Sequence, residues 1–319
     1  MKFTWKDKDW YIDERLATQL NSIAWNIKSD WDFVIILTGD RMVRVGKSVL
    51  AQTICAYLAL LFKKMNLNDN AYNIGDVYFD NKEMIKEAFK KPKYSINHYD
   101  EGREGLAASK AMKGFQQDLI DFFTECGQMN HVFVIVAPDF FELKEEIAVG
   151  RSEILLNVYR RSEMAKRQLF RDGTEYPVVI FKRGYFQFFA RNKKAKLFDI
   201  FRTTRRKSYG TVTADFLGRF TDQYPLGEEE YKKLKREALS RFQENKEKEK
   251  LKIQSGSKHL LALRDLVLKQ IWQENPKLTN KEIAKRLNEQ TGGDLFTQVY
   301  ISHALCDIKK AAKEGVEDV

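Results

Sequence analysis

Gly46, Lys47 and Ser48 follow an apolar run in the stretch "FVIILTGDRMVRVGKSVLA", residues 33–51. A lysine and a hydroxyl directly behind a glycine, between a strand and a helix, are residue types that hold phosphate. The turn's backbone N–H groups and the positive end of the helix face the anion. Lys47 is placed to reach β- and γ-phosphates, Ser48 to ligate Mg²⁺, and Gly46 to allow close backbone approach. The expected nucleotide-binding set is Gly39, Arg44, Val45, Gly46, Lys47, Ser48 and Val49. The usual spacing puts a first glycine where this chain has Arg41, and the nearest upstream glycine is Gly39. A loop longer by two residues absorbs the difference, and Arg41 and Arg44 add positive charge. The alternative is an ordinary strand–turn–helix in which Gly-Lys-Ser occurs by chance.

Such a loop needs a second strand ending in an acid, because Mg²⁺ takes hard oxygen ligands. "INHYDEG" supplies Asp100 for the metal and Glu101 to polarise an attacking water. Asn97 and His98 interrupt a strand that is usually wholly apolar, and an Asp-Glu pair alone is commonly a solvated turn. A third strand, "HVFVIVAPDFF", ends in Asp139. That residue either senses the γ-phosphate or caps the segment that follows it.

These residues need a scaffold. Strand-like runs alternate with helical patterns: "FVIILT", a helix from Lys47 to Met65, "VYFD", "NKEMIKEAFKK", "YSINHYDE", a long helix from Leu106 to Cys126, and "HVFVIVAPDFF". An earlier helical pattern covers residues 13–28. The alternation predicts an α/β fold, a mostly parallel sheet with helices on both faces. Beyond residue 150, "EILLNVY", "YPVVIFK" and "YFQFFAR" read as added antiparallel strands, the last two joined in a hairpin around Arg183-Gly184.

The bulk composition fits. The chain has 319 residues and 43% hydrophobic content, enough for one large domain and a small one. Its 55 Lys+Arg against 45 Asp+Glu give a formal charge of +10, which favours an anionic partner: nucleic acid, nucleotide or anionic membrane. A generally lysine-rich composition is the alternative. Cys55, Cys126 and Cys306 form no CxxC pair, and the four histidines show no zinc spacing. "MKFTWKDKDW" has no apolar signal core, and no run approaches a membrane span. A reducing cytoplasm and no membrane insertion are expected.

The order of these features, with "ELKEEIAVGRSEILLNVYRR" and an aromatic-rich hairpin after them, resembles the FtsK–HerA superfamily of P-loop motor ATPases over roughly residues 30–220. It is nearest to the zonular-occludens-toxin-like and archaeal or viral branches. The resemblance implies ATP and Mg²⁺ as cofactors, a homo-oligomeric and usually hexameric ring, nucleotide between subunits and DNA in the pore. It also implies an arginine supplied in trans, with Arg151, Arg160 and Arg161 as candidates; surface charge is the plain alternative. Two departures stand out: the early glycine, and Asp139 where that superfamily often has glutamine.

A second site lies in "LTNKEIAKRLNEQTGGDLFTQVYISHALCDIKKAAK". Thr279 or Asn280 caps a helix with Ile283, Ala284 and Leu287 on one face. Another helix starts near Thr297, with Ile301, Leu305, Ile308 and Ala312 inward, and "KHLLALRDLVLKQIW" precedes both. Three short helices suit a helix-turn-helix, possibly winged, that binds DNA. Lys281, Lys285, Arg286, Lys309 and Lys310 would meet phosphates, and Thr297, Gln298, Ser302 and His303 base edges. The alternative is a small protein-binding bundle.

The expected organisation is a P-loop ATPase domain (1–222), a charged helical linker (223–257) and a helix-turn-helix domain (258–319). The function expected is an ATP-driven DNA motor or DNA-remodelling ATPase of a plasmid, virus or integrated mobile element. Its rivals are an AAA+-type initiator or helicase loader, and a DNA-binding regulator with a degenerate, non-hydrolysing loop.

Overall fold

The computed structural model describes residues 1–39, 44–100, 117–123, 128–169, 171–241, 243–244, 267–268, 270–271, 274–275, 278–291, 297 and 300–306. Contacts divide the chain into Met1–Leu239 and Ser240–Val319.

The first unit opens with a hairpin, β1 (Lys2–Trp5) and β2 (Lys8–Tyr11), which is not among the elements expected from periodicity. Its turn holds Lys6 and Asp7 at positive φ, the pairing that matches strand twist in a two-residue turn. Helix α1 (Glu14–Lys28) is capped by Asp13, which accepts from the Arg15 N–H. Then come β3 (Phe33–Gly39), α2 (Lys47–Lys64), β4 (Val77–Tyr78), α3 (Asn81–Ala88), β5 (Ile96–Asp100), β6 (Val132–Val136), β7 (Ser152–Leu169), β8 (Glu175–Phe189), α4 (Arg191–Thr204) and β9 (Phe216–Arg219).

One seven-stranded sheet runs in the order β4-β5-β6-β3-β7-β8-β9. The strands from β4 to β7 are parallel, and β7, β8 and β9 are antiparallel. The α/β class and the mostly parallel sheet with added antiparallel strands are therefore as expected. The apolar run of β3 reflects burial on both faces. Ile35 and Leu37 enter a cluster with α1 and α2, while Val34 and Ile36 enter another with α3, residues 119–123 and α4. Helix α2 is buried around most of its circumference, and small residues such as Ala51, Cys55 and Ala56 let it lie close to the sheet.

One expectation needs correction. "YPVVIFK" and "YFQFFAR" form a single strand, β8, and the hairpin partner of β8 is β7. The connection between them carries Asp172, whose carboxylate accepts from Thr174, and Gly173 at φ +81. Gly184, at φ +93, sits where the β7–β8 register shifts, and the Phe220 carbonyl lies 2.6 Å from where a Cβ would stand. It serves a bulge rather than a turn. The β3–β7 pairing ends at Gly39↔Val158, so the longer parts of β7 and β8 extend past the carboxyl edge of the parallel strands.

The polar residues inside β5 have local partners. Asn97 accepts from Lys91 Nζ at 2.8 Å and meets His131 Nδ1 at 3.3 Å. His131 Nε2 pairs with the Pro92 carbonyl at 3.0 Å, and His98 Nδ1 with Tyr72 Oη at 2.9 Å.

The described part of the second unit is helical. Thr279 and Glu282 form a reciprocal cap for α5 (Asn280–Thr291). Thr297 caps the helical residues 300–306 through the Tyr300 and Ile301 amides. Leu268, Ile283, Ala284, Leu287, Ile301, Ala304 and Leu305 make its core. Ile308 and Ala312 lie outside the described residues. Among the described residues, no helix is long and apolar enough to cross a membrane.

Burial holds His131 and His98 neutral, each with its pKa lowered from 6.5 to about 4. The unfolded chain takes up these protons near pH 6.5, and the folded chain only near pH 4. The stability they contribute is full above pH 6.5 and is lost as pH falls toward 4, by roughly 3 kcal/mol for His131. Urea unfolding between pH 7 and pH 4 should show this decline, and His131→Gln should make it shallower. Parallel profiles would contradict the assignment.

Candidate nucleotide site

The register brings the site together. Leu37 pairs with Val136, and Val136 with Asp100, so the carboxyl ends of β3, β6 and β5 stand in one row. Open α/β sheets bind ligands at this edge, in the crevice beyond the strand ends. Helix α2 starts from β3's side and packs on β5 and β6. Its first turn thereby brings Ser48 near Asp100, and the Ser48 hydroxyl is among the groups that lower the Asp100 pKa.

Gly46 is the residue before α2 and has φ +101, with no side chain capping the helix. A Cβ there would stand 2.9 Å from the Phe220 ring, so position 46 is restricted both by backbone and by packing. Lys47 Nζ donates to the Ala137 carbonyl, 3.3 Å away, just past the end of β6. Gly39 closes β3 beneath this turn: a Cβ on it would meet Val45 at 3.1 Å, the Val158 carbonyl at 3.2 Å and the Lys47 stem at 3.3 Å. Arg44 is exposed at φ +61. Val45 and Val49 bury their side chains, so any contact they make to phosphate is through their backbone amides. Arg41 and Glu101 lie outside the described residues.

Asp100 is 2% exposed. Burial alone would push its carboxyl up. The Lys235 ammonium, with the Tyr231 phenol and the Ser48 hydroxyl, outweighs burial and holds it below its ordinary value. A carboxylate with a hydroxyl nearby is a hard-oxygen pair that suits Mg²⁺, which is commonly held by one or two carboxylates plus substrate phosphates. No cluster of three or more His, Cys, Asp and Glu side chains exists among the described residues, so a transition-metal cage is not offered there.

Asp139 is 3% exposed and caps the short turn Phe140–Glu142, accepting from the Phe141 N–H at 3.1 Å. Its other oxygen faces Lys207 Nζ at 3.7 Å. Beside it, Tyr209 Oη donates to Thr38 Oγ1 at 3.0 Å and accepts from the Phe140 N–H at 3.2 Å.

The candidate arginines separate. Arg151 precedes β7, whose Ser152 pairs with Val34 at the start of β3. It therefore stands about 17 Å from the loop's edge of the sheet. Arg160 and Arg161 follow Val158 and lie on the loop's edge. Arg160 stacks on Phe181, with its guanidinium 3.8 Å from the ring centroid, and Arg161 on Tyr185 at 4.5 Å. Arg160 borders a cleft of about 530 Å³ that Asn157, Gln187 and Lys207 also line.

Sequence reasoning missed Tyr231, Lys235, Phe220 and Lys207. Tyr231 is the one aromatic among the charges of "EEEYKKLKREAL", and that isolation was the available signal. The portion of the charged helix up to Leu239 packs within the first unit.

In the second unit, Lys281, Lys285, Arg286, Ser302 and His303 are all exposed, as is Thr297. Lys285 pairs with Glu289 at 3.9 Å. Tyr300 is 42% exposed. Gln298, Lys309 and Lys310 lie outside the described residues.

No protein-family model matches the chain, and comparison with curated proteins finds no match.

Gly46→Ala should destabilise the protein by about 1–3 kcal/mol, from the backbone strain and the Phe220 contact together. Urea unfolding of Gly46→Ala, Phe220→Ala and the double variant measures the coupling. Additive effects would show that the ring does not limit position 46.

Proposed function

We propose that the first unit binds ATP and Mg²⁺ and hydrolyses ATP, and that the chain is a DNA motor or DNA-remodelling ATPase like those of the FtsK–HerA superfamily. The observation that carries this reading is the register that sets Asp100 beside the Lys47–Ser48 turn: Lys47 Nζ reaches the Ala137 carbonyl, and the neighbouring Val136 pairs with both Leu37 and Asp100. Two separate motifs are thereby brought side by side where a phosphate-bound cation would need them.

Lys47 exchanges the Ala137 carbonyl for a phosphate oxygen, a stronger charge-assisted hydrogen bond. The turn before α2 offers its N–H groups to the same phosphates. Ser48 and Asp100 would hold the cation, which would supply charge neutralisation to the phosphates. Glu101, next in sequence to Asp100, takes the proton of the attacking water. Asp139, beside Lys207, follows the end of β6, the strand between the two motif strands, and would register the γ-phosphate from there. Arg160 or Arg161 completes a site from the loop's edge, and Arg151 reaches a phosphate only from a neighbouring copy in a homo-oligomer. The strands β7 to β9 stand where an AAA+-type protein would carry a helical lid, which favours the motor over the initiator.

The second unit is assigned to DNA. Lys281, Lys285 and Arg286 project from the exposed face of α5, opposite the Ile283, Ala284 and Leu287 face. Ser302 and His303 are exposed on the following helical segment.

Lys47→Ala should weaken ATP binding by about a hundredfold or more with the fold intact. Glu101→Gln should retain ATP while losing turnover by orders of magnitude. Titration with a fluorescent ATP analogue and a phosphate-release assay measure both. Unchanged affinity in Lys47→Ala would overturn the nucleotide site, and wild-type turnover in Glu101→Gln would remove Glu101 from the reaction. Absence of turnover in the wild type, with and without DNA, would favour the nucleotide-switched regulator.

Deleting residues 258–319 should weaken binding to duplex DNA and flatten its salt dependence, by about 0.9 in slope for each phosphate that the segment neutralises. A salt-series titration of full-length and truncated protein tests this. Identical affinity and slope would assign the segment to a protein partner.

A further inference from the structure

Both carboxylate oxygens of Asp100 are engaged by one helix. Tyr231 donates its phenol O–H to Oδ2, and Lys235 Nζ stands 3.7 Å from Oδ1. Lys235 Nζ also donates to Tyr231 Oη at 3.1 Å, so phenol and ammonium act as one unit. The two residues lie one turn apart on the helix of residues 228–241.

The segment leading into that helix is fastened across the phosphate loop. The Phe220 ring covers Gly46, and the Leu226 N–H donates to Gln52 Oε1 on α2 at 3.3 Å. Tyr231 stacks on Tyr224 with centroids 5.1 Å apart, and the Lys235 ammonium lies 5.8 Å from the centre of the Phe79 ring. Lys235 itself keeps a third of its side chain exposed, so it has a solvated route away from the carboxylate.

A divalent cation held by Asp100 and Ser48 needs their oxygen lone pairs at about 2.1 Å. Here the Asp100 oxygens face an ammonium and a phenol O–H. A second cation beside the Lys235 ammonium would meet like-charge repulsion at a site with little water to screen it. Resting on the nucleotide-site reading, we propose that Tyr231 and Lys235 form a latch that fills the cation position of the Asp100–Ser48 pair, so that helix docking and divalent-cation binding exclude one another. Opening exchanges the Lys235 ammonium for a divalent cation at Asp100. The buried carboxylate is therefore compensated in both states, which keeps both accessible. The apparent cation affinity is reduced by the fraction of molecules with the helix undocked.

Mn²⁺ is the probe, without nucleotide. Electron paramagnetic resonance of free Mn²⁺ gives its affinity for full-length wild type, for Tyr231→Phe/Lys235→Met, and for that pair combined with Asp100→Asn. The double variant should bind Mn²⁺ about tenfold tighter or more, and Asp100→Asn should cancel the gain. In the wild type, Mn²⁺ should accelerate hydrogen exchange of the amides of residues 228–241. This second readout needs no variant to fold. Equal Mn²⁺ affinity with and without the latch residues, or exchange in residues 228–241 that Mn²⁺ leaves unchanged, would overturn the latch. Neither measurement involves ATP. Failure here is thus distinct from failure of Lys47-dependent ATP binding, which would overturn the nucleotide site.

Discussion

Burying the Asp100 carboxylate obliges everything around it to supply positive charge or hydrogen-bond donors. An isolated ionised carboxylate in a protein interior is costly, and pairing removes most of that cost. The donors come from two directions: Ser48 at the start of α2, and Tyr231 with Lys235 on a helix far along the chain. Each holds its element to the end of β5. The constraint thus ties the phosphate-type turn, the central sheet and the C-terminal part of the first unit to one atom group. Within the present arrangement Lys235 and Tyr231 balance the charge. In the proposed nucleotide-bound form the cation does so.

The sheet makes this possible by separating its two jobs. Alternate residues of β3 and β6 feed two apolar clusters, one under α1 and α2 and one under α3 and α4. With both faces buried, polar groups on these strands are costly except where partners are built in. The Lys91–Asn97–His131 chain and the Tyr72–His98 pair are such exceptions along the middle of the sheet. Chemistry is left to the carboxyl edge, where Thr38, Asp100 and Asp139 gather their own partners. The antiparallel strands β7 to β9 widen that edge and carry Arg160 and Arg161 there, while the strand ends that begin at Arg151 face the opposite way.

Local signals in the sequence are legible wherever neighbours in the chain are also neighbours in space. The apolar run of β3, the Gly-Lys-Ser turn and the Thr279 cap are of this kind. The Arg183-Gly184 pair suggests a hairpin because a glycine with positive φ serves a bulge as readily as a turn. Only the register with β7 tells them apart. Asn97 and His98 look like a flaw in a metal-bearing strand because their partners, Lys91, Tyr72 and His131, are invisible to strand periodicity. Tyr231 and Lys235 are hidden among charges for the same reason. The Tyr231 contact with Asp100 spans 131 residues, and no local rule encodes it.

The central claim is that one cation, one phosphate chain and Asp100 share a site at the end of β5. Pulsed electron–nuclear double resonance on Mn²⁺·ATP bound to protein carrying carboxyl-carbon-labelled aspartate tests it directly. The account predicts that bound Mn²⁺ couples both to phosphorus of ATP and to an aspartate carboxyl carbon, and that Asp100→Asn removes the carbon coupling. Phosphorus coupling with no aspartate coupling in the wild type, or carbon coupling that survives Asp100→Asn, would place the cation elsewhere and contradict it.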